Sequence, residues 1–380
     1  MRPTPMRTIF LPTLLATLTL GPASARAGEG PSTPTMRRAN EAAATLVKER
    51  LRHENPAAAR ALAEVGQHDL VVVRGEYDHV ESILRALGLR FLLVSPGQIK
   101  HLDLTAKQLV IVNCPGTIDA GGRERLARFV RAGGMLYTTD WALKNVVQRT
   151  FPHTIAWNGV STGDDVVGVK VARNDDPMMK NFVVGGARPR WWLEGSSYPI
   201  KILDPQRVEV LVSSQEMRSK YGSSPIAVTF PVEDGRVFHV VSHFYLQRNQ
   251  GGRAIAAGKK ILDGVNVSAP AKATLEKQMA GLSADDVGAA YAMQQMTANL
   301  VLGKQKQNVE LDRVYGQKAK RAVALEESAE GAPASRAGRS PSKPASVAAG
   351  AQLKVLERKA GKAKVRDLRG NEGWVPADAL

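Results

Sequence analysis

Three residues, distant in the chain, have the types that do hydrolytic or metal chemistry: Cys114, Asp140 and His243. An imidazole moves protons near neutral pH, a carboxylate orients it or activates water, and a thiolate attacks carbon or ligates a soft metal. Cys114 is the single cysteine, which excludes an intrachain disulfide framework and any zinc site built on paired cysteines. It follows an apolar run and precedes Pro115-Gly116. It would be either a reactive thiol at the edge of a sheet or a small buried hydrophobe, and the general burial of cysteine favours the second. Asp140, with His243, Asp164 and Asp165, would form a site for a metal or a hydrolytic water. The simpler expectation is that Asp140 caps the helix that follows it. No H-x-x-x-H or comparable ligand spacing occurs, so no metal and no cofactor is expected. Trp191 and Trp192, with Arg188 and Arg190, would stack on a sugar or aromatic ligand or pack on a domain surface. Neither G-x-G-x-x-G nor a Walker-type loop is present, and nucleotide binding has no support.

These side chains need elements to hold them. Apolar runs suited to buried strands lie at Leu70–Val73, Phe91–Val94, Leu109–Val112 and Met135–Thr139. Helical patterns fall between them. One is opened by Asp78, whose side chain is expected to accept from the backbone N–H of Glu81, and runs through Val80, Ile83, Leu84 and Leu87 to Gly88. Another carries Leu126, Phe129 and Val130 and ends at Gly133-Gly134. Further strands are expected at Val166–Val171, Val208–Ser213, Ile226–Phe230 and Val237–Ser242. Alternation of helices with continuously apolar strands predicts an α/β fold whose parallel sheet is covered on both faces, over residues 66–265. Residues 28–65 read as a helical segment and 266–315 as a helical linker, with Ser283 as N-cap and an apolar stripe at Val287, Tyr291, Met296 and Leu300.

The run Leu109–Leu143 resembles the type 1 glutamine amidotransferase-like superfamily, closest to its trehalose-utilisation-protein-like branches. Gly235–Gln247 is similar to the closing strand of such domains. The resemblance implies a flavodoxin-like parallel-sheet sandwich, with a nucleophile on the tight turn after the fourth strand. Here that turn is Thr138-Thr139-Asp140-Trp141-Ala142, without cysteine or serine, and His243 matches the triad histidine. The family's glutamate two residues beyond is replaced by Tyr245, so the orienting carboxylate is expected to be missing as well. Val347–Leu380 resembles a bacterial SH3 domain, with Gly350, Leu353–Leu356, Val365, Gly373-Trp374-Val375 and Leu380 in its pattern. Residues 316–380 would form a small all-β barrel whose first strand is Arg321–Glu326. That resemblance implies binding to peptidoglycan or an envelope protein.

Residues 1–27 have the charged, apolar and small-residue layout of a secretory signal peptide, implying a periplasmic or other exported location. No later stretch is apolar enough to span a bilayer. The net charge is +16, and residues 304–380 hold 16 basic against nine acidic residues. Export, only 5% aromatic residues and the absence of a recognisable nucleic-acid module argue against nucleic acid and for an anionic envelope polymer. The expected function is that of an exported non-catalytic binding or scaffold protein. The alternative is an envelope hydrolase with its site rebuilt around Asp140 and His243.

Overall fold

A computed structural model describes residues 34–185, 190–243, 258–329 and 345–380. The expected signal peptide, Arg188, Tyr245 and the Pro/Ser/Arg-rich segment Pro333–Pro344 lie outside the described residues. Helices α1 (Pro34–Glu54) and α2 (Pro56–Ala63) precede strand β1 (Leu70–Val73), helix α3 (Val80–Leu87) and strand β2 (Leu92–Val94). Then come β3 (Leu109–Val112), α4 (Ala120–Arg131), β4 (Met135–Thr139) and a π turn, Leu143–Val147, that runs into the short α5 (Gln148–Thr150). Small strands follow: β5 (Ile155–Trp157), β6 (Asp165–Gly168), β7 (Lys170–Val171), β8 (Arg190–Leu193) and β9 (Ile200–Ile202). Strand β10 (Glu209–Ser213), helix α6 (Gln215–Tyr221), and strands β11 (Pro225–Val232) and β12 (Gly235–Val240) finish the sheet.

The main sheet has eight strands in the order β2-β1-β3-β4-β12-β11-β10-β7. Strands β2, β1, β3, β4 and β12 pair in parallel, and the other three are antiparallel. Every residue of β1, β3 and β4 is buried, as expected for strands covered on both sides. The expected strand Val166–Val171 is two strands in different sheets: β6 pairs with β8, and β7 pairs with β10. An apolar run alone does not say which sheet it joins.

The expected helical linker is also divided, into α7 (Ala269–Gln278) and α8 (Ala284–Val314). Gly281, in the left-handed region at φ 76°, lets the chain turn between them, and Ser283 Oγ accepts from Asp286 N to restart the helix. Val287, Tyr291, Met296 and Leu300 are buried, and α8 packs along α1, so this helix is part of the core layer. Helix α1 is amphipathic through alanine: Ala39, Ala42, Ala43 and Ala44 are buried beside Leu46 and Val47, a face the sparse large hydrophobes did not announce.

The C-terminal residues form a small antiparallel unit: β13 (Gln317–Lys318), β14 (Val323–Ala324), β15 (Ser346–Val347), β16 (Gln352–Lys359), β17 (Lys362–Asp367) and β18 (Glu372–Pro376). Its four-stranded sheet has the order β13-β16-β17-β18. Within the expected first strand Arg321–Glu326, Val323–Ala324 pairs with Ser346–Val347 and Glu326 bridges Trp374 of β18, while Gln317–Lys318 adds the far edge of the sheet by pairing with Gln352 and Leu353. A separate core of Leu325, Val347, Leu353, Ala363, Val365 and Val375 holds the unit together.

Candidate functional site

The C-terminal ends of the parallel strands carry the polar cluster. Cys114 lies two residues beyond β3, Asp140 directly follows β4, and His243 follows β12. The three ligand-type atoms, one from each side chain, lie within 4.8 Å of one another. His243 Nε2 is 3.5 Å from Asp140 Oδ2. This is where open α/β sheets place their sites, because strands end together and loops diverge.

Asp140 does not cap the following helical turn. It adopts a left-handed conformation at φ 44°, with its N–H on Val240 O at 3.0 Å, so the tight turn expected after the fourth strand is present. Its carboxylate turns toward the loop after β8: Oδ1 accepts from Tyr198 N at 2.8 Å and Oδ2 from Ser197 Oγ at 3.1 Å. Asp164 and Asp165 belong elsewhere, Asp164 with the Trp192 indole N–H and Asp165 with Lys220 at 2.7 Å. Cys114 is buried at 1% exposure, as its residue type suggests, yet it also lines the polar pocket. Its N–H donates to Thr139 Oγ1 at 3.0 Å, and its carbonyl accepts from Glu76 N at 3.0 Å.

The orienting carboxylate expected to be missing is supplied by Glu194, against Nδ1 of His243. Glu194 stands at the end of β8, next to Gly195, some fifty residues before the histidine. A carboxylate where an apolar strand meets a glycine turn was the available signal, but nothing in sequence spacing connects it to His243. Trp191 and Trp192, expected either to stack on a sugar or aromatic ligand or to pack on the domain surface, are 1% and 8% exposed and pack as scaffold. Trp191 Nε1 donates to Val241 O at 2.8 Å and Glu194 N donates to Ser242 Oγ at 3.1 Å, which fastens β8 beside the histidine. Arg190 is exposed and donates to Val166 O at 2.8 Å.

Asp78 is a second missed acid. Helix α3 starts from His79 without a side-chain cap; Asp78, 1% exposed, accepts from His79 N at 2.8 Å and its charge acts on His243. Burial raises the carboxyl pKa of Asp78, and it raises that of Asp140 to about 6 despite the opposing pull of His243. Burial likewise pushes the Cys114 thiol to about 11. For His243 burial acts downward, but the neighbouring thiol and Glu194, aided by Asp78, hold its pKa well above the ordinary value.

These groups open on a cavity of about 200 Å³ walled by Tyr77 and Trp141, with Ser196 at its rim. Tyr77 meets Trp141 edge-on at 5.4 Å, Trp141 stacks on Tyr198 at 5.5 Å, and Tyr198 stacks on Trp157 at 4.5 Å. Trp141 Nε1 donates to Ser196 O at 2.7 Å, so the aromatic tier is tied to the loop that carries Glu194. The arrangement can bind a small molecule against an aromatic face and present it to an imidazole flanked by two carboxylates and a thiol.

No family model matches the chain, and no curated protein matches it. Among solved structures it is similar to a cytoplasmic protein from Salmonella typhimurium, at 9% identity and a TM-score of 0.35, over 56% of this chain and 98% of that one. It is also similar to a ThuA-like protein from Bacteroides uniformis, at 14% identity and a TM-score of 0.33, over 47% of this chain and 82% of that one. For a β-galactosidase from Rahnella sp. the identity is 15% and the TM-score 0.30, over 46% of this chain and only 28% of the enzyme.

Proposed function

We propose that the protein is a hydrolase acting in the pocket formed by Cys114, Asp140, Glu194 and His243. The observation that carries this reading is an imidazole with a carboxylate against each ring nitrogen, at the mouth of an aromatic-walled cavity. Glu194 at Nδ1 fixes the ring and balances the charge it gains when a proton arrives. The Nε2 side, beside Asp140, is then the face at which a water is activated for attack on a bound substrate. Tyr77 and Trp141 suit a small substrate with a planar or ring face.

Support for an envelope location comes from the signal-peptide-like layout of residues 1–27 and from the basic surplus of residues 304–380. We read the C-terminal antiparallel unit as SH3-like and as the part that meets an anionic envelope polymer or an envelope protein, in keeping with the resemblance at Gly373-Trp374-Val375.

The test is turnover by the purified chain of a panel of chromogenic esters, amides and glycosides. A rate that falls roughly 10²–10⁴-fold in His243→Ala supports hydrolysis. In Glu194→Gln the reading expects a lower kcat with little change in KM and a shifted pH profile, since that residue positions the ring. Turnover equal in the wild type and His243→Ala across the panel overturns the reading in favour of a binding or scaffold protein.

A further inference from the structure

The structure assigns to Cys114, Asp140 and His243 a second property: together they form the binding site of one divalent transition-metal ion of zinc type. The inference deepens the hydrolytic reading, which supplies the pocket but does not require an ion. Bonds of roughly 2.0–2.3 Å in a tetrahedral site separate ligand atoms by about 3.3–3.8 Å. The His243–Asp140 separation of 3.5 Å lies in that range, and a sulfur within 4.8 Å needs only a small closing movement. One imidazole, one thiolate and one carboxylate suit zinc or its neighbours and not magnesium or calcium, which take all-oxygen shells. Three protein ligands leave a fourth position, and here it faces the cavity.

A second observation points to a ligand. His243 is 3% exposed, Glu194 lies against its Nδ1, and on the Nε2 side the Asp140 carboxylate stands 3.5 Å away. A carboxylate at Nδ1 holds the proton there and leaves the lone pair on Nε2, the side that faces Asp140 and Cys114, which is the tautomer a metal-ligating histidine needs. The supporting shell is that of a ligand set. Tyr198 N and Ser197 Oγ fix the Asp140 carboxylate, Thr139 Oγ1 fixes the Cys114 backbone, and Glu194 stands at the far nitrogen of the imidazole. Charge agrees with geometry. Three acids (Asp78, Asp140 and Glu194) and a thiol surround this histidine, and among the described residues no lysine or arginine lines the cavity. On binding, the thiol proton leaves to solvent and the sulfur becomes a thiolate ligand. The ion then takes over from the imidazole as the group that activates water.

The test uses the purified chain freed of metal by chelator, then titrated with zinc against a chromophoric competitor and with cobalt(II) followed by absorption. One ion per chain is expected, with cobalt giving visible bands of a four-coordinate site and a near-ultraviolet thiolate charge-transfer band. Cys114→Ser, folded by circular dichroism, loses the charge-transfer band. Asp140→Asn and His243→Ala lower zinc affinity by about two orders of magnitude or more. Glu194→Gln lowers it about 10–100-fold and keeps the thiolate band, as a partner of the histidine rather than a ligand would. No stoichiometric binding, or binding that none of these substitutions changes, overturns the metal site. Hydrolysis that survives chelation in a chain that binds no metal leaves the hydrolase reading standing alone. Stoichiometric, Cys114-dependent binding with no turnover does the reverse.

Discussion

Gly75 shows how closely the backbone around the thiol is fitted. A Cβ there would sit 2.3 Å from Cys114 O and 2.6 Å from Asn113 Cβ, both in the segment that carries the sulfur. Gly75→Ala must therefore push that segment away. It should cost about 1–3 kcal/mol in chemical denaturation and reduce turnover and zinc affinity together, although no reacting group is altered. Unchanged stability with unchanged affinity would show that the segment has room to give. The residue types of the site were legible at this scale: Cys114, Asp140 and His243 stood out by chemistry and by lying after apolar runs. Their partners were not. Glu194 and Asp78 reach His243 only because separate loops converge on it, and the hydrogen bonds that hold the Asp140 carboxylate come from the Ser197 hydroxyl and the Tyr198 backbone N–H, residues with no distinguishing spacing.

Strand β12 carries a titrating group of its own at the element scale. His239 is fully buried; Thr138 Oγ1, directed at Phe238 O, accepts from its Nδ1 at 2.8 Å, and among the described residues Nε2 has no hydrogen-bond partner. Burial therefore lowers its pKa to about 3. The unfolded chain binds a proton near pH 6.5 and the folded chain does not until about 3, so this residue's contribution is complete above pH 6.5 and is lost as pH falls toward 3. His239→Leu should flatten the acid limb of the stability curve across that window, read by urea unfolding at stepped pH. An acid limb as steep as the wild type's would assign the loss to other groups. Helix α8 has a comparable buried contact: Lys304 Nζ donates to Ala106 O and to Gly133 O at 2.8 Å, which joins the helix to the loops before β3 and β4. Lys304→Met leaves two carbonyls without that donor and should cost roughly 2–4 kcal/mol in the same measurement. The strands and α3 were readable because apolar runs and glycine stops are local. The burial of α1 and α8 was less so, because alanine and polar residues become interior only where another helix comes close.

At the scale of the molecule, the C-terminal unit is docked on the pole of the sheet opposite the cavity. Arg366, 5% exposed, reaches Glu233, Asp234 and Arg131 O, and Lys354 meets Asp234 at 2.7 Å. Arg125 donates to Arg369 O at 2.9 Å, and Ala106 N donates to Leu368 O at 2.6 Å. All these partners lie before β3, within α4 or in the β11–β12 turn, away from Cys114, Asp140 and His243. Arg366→Ala should cost about 2–3 kcal/mol, since three acids (Glu233, Asp234 and Glu372) lose a largely buried partner, and should leave kcat of the distant site unchanged. A change in kcat without a change in stability would mean the unit acts on the site. If the basic unit meets an anionic polymer, the full chain should sediment with isolated peptidoglycan at low salt and be released as salt rises. Among the described residues no helix is long and apolar enough to cross a membrane. The sequence by itself determined the strand–helix alternation, the separate β-rich end, the charge surplus and the three reactive residue types, because each is a local property of composition or period. Only the tertiary structure decided that Glu194 and Asp78 join His243, that Trp191 and Trp192 are scaffold, and that the basic unit turns away from the cavity. Those outcomes depend on which strand ends lie side by side, and side-by-side placement is set by the packing of the whole chain.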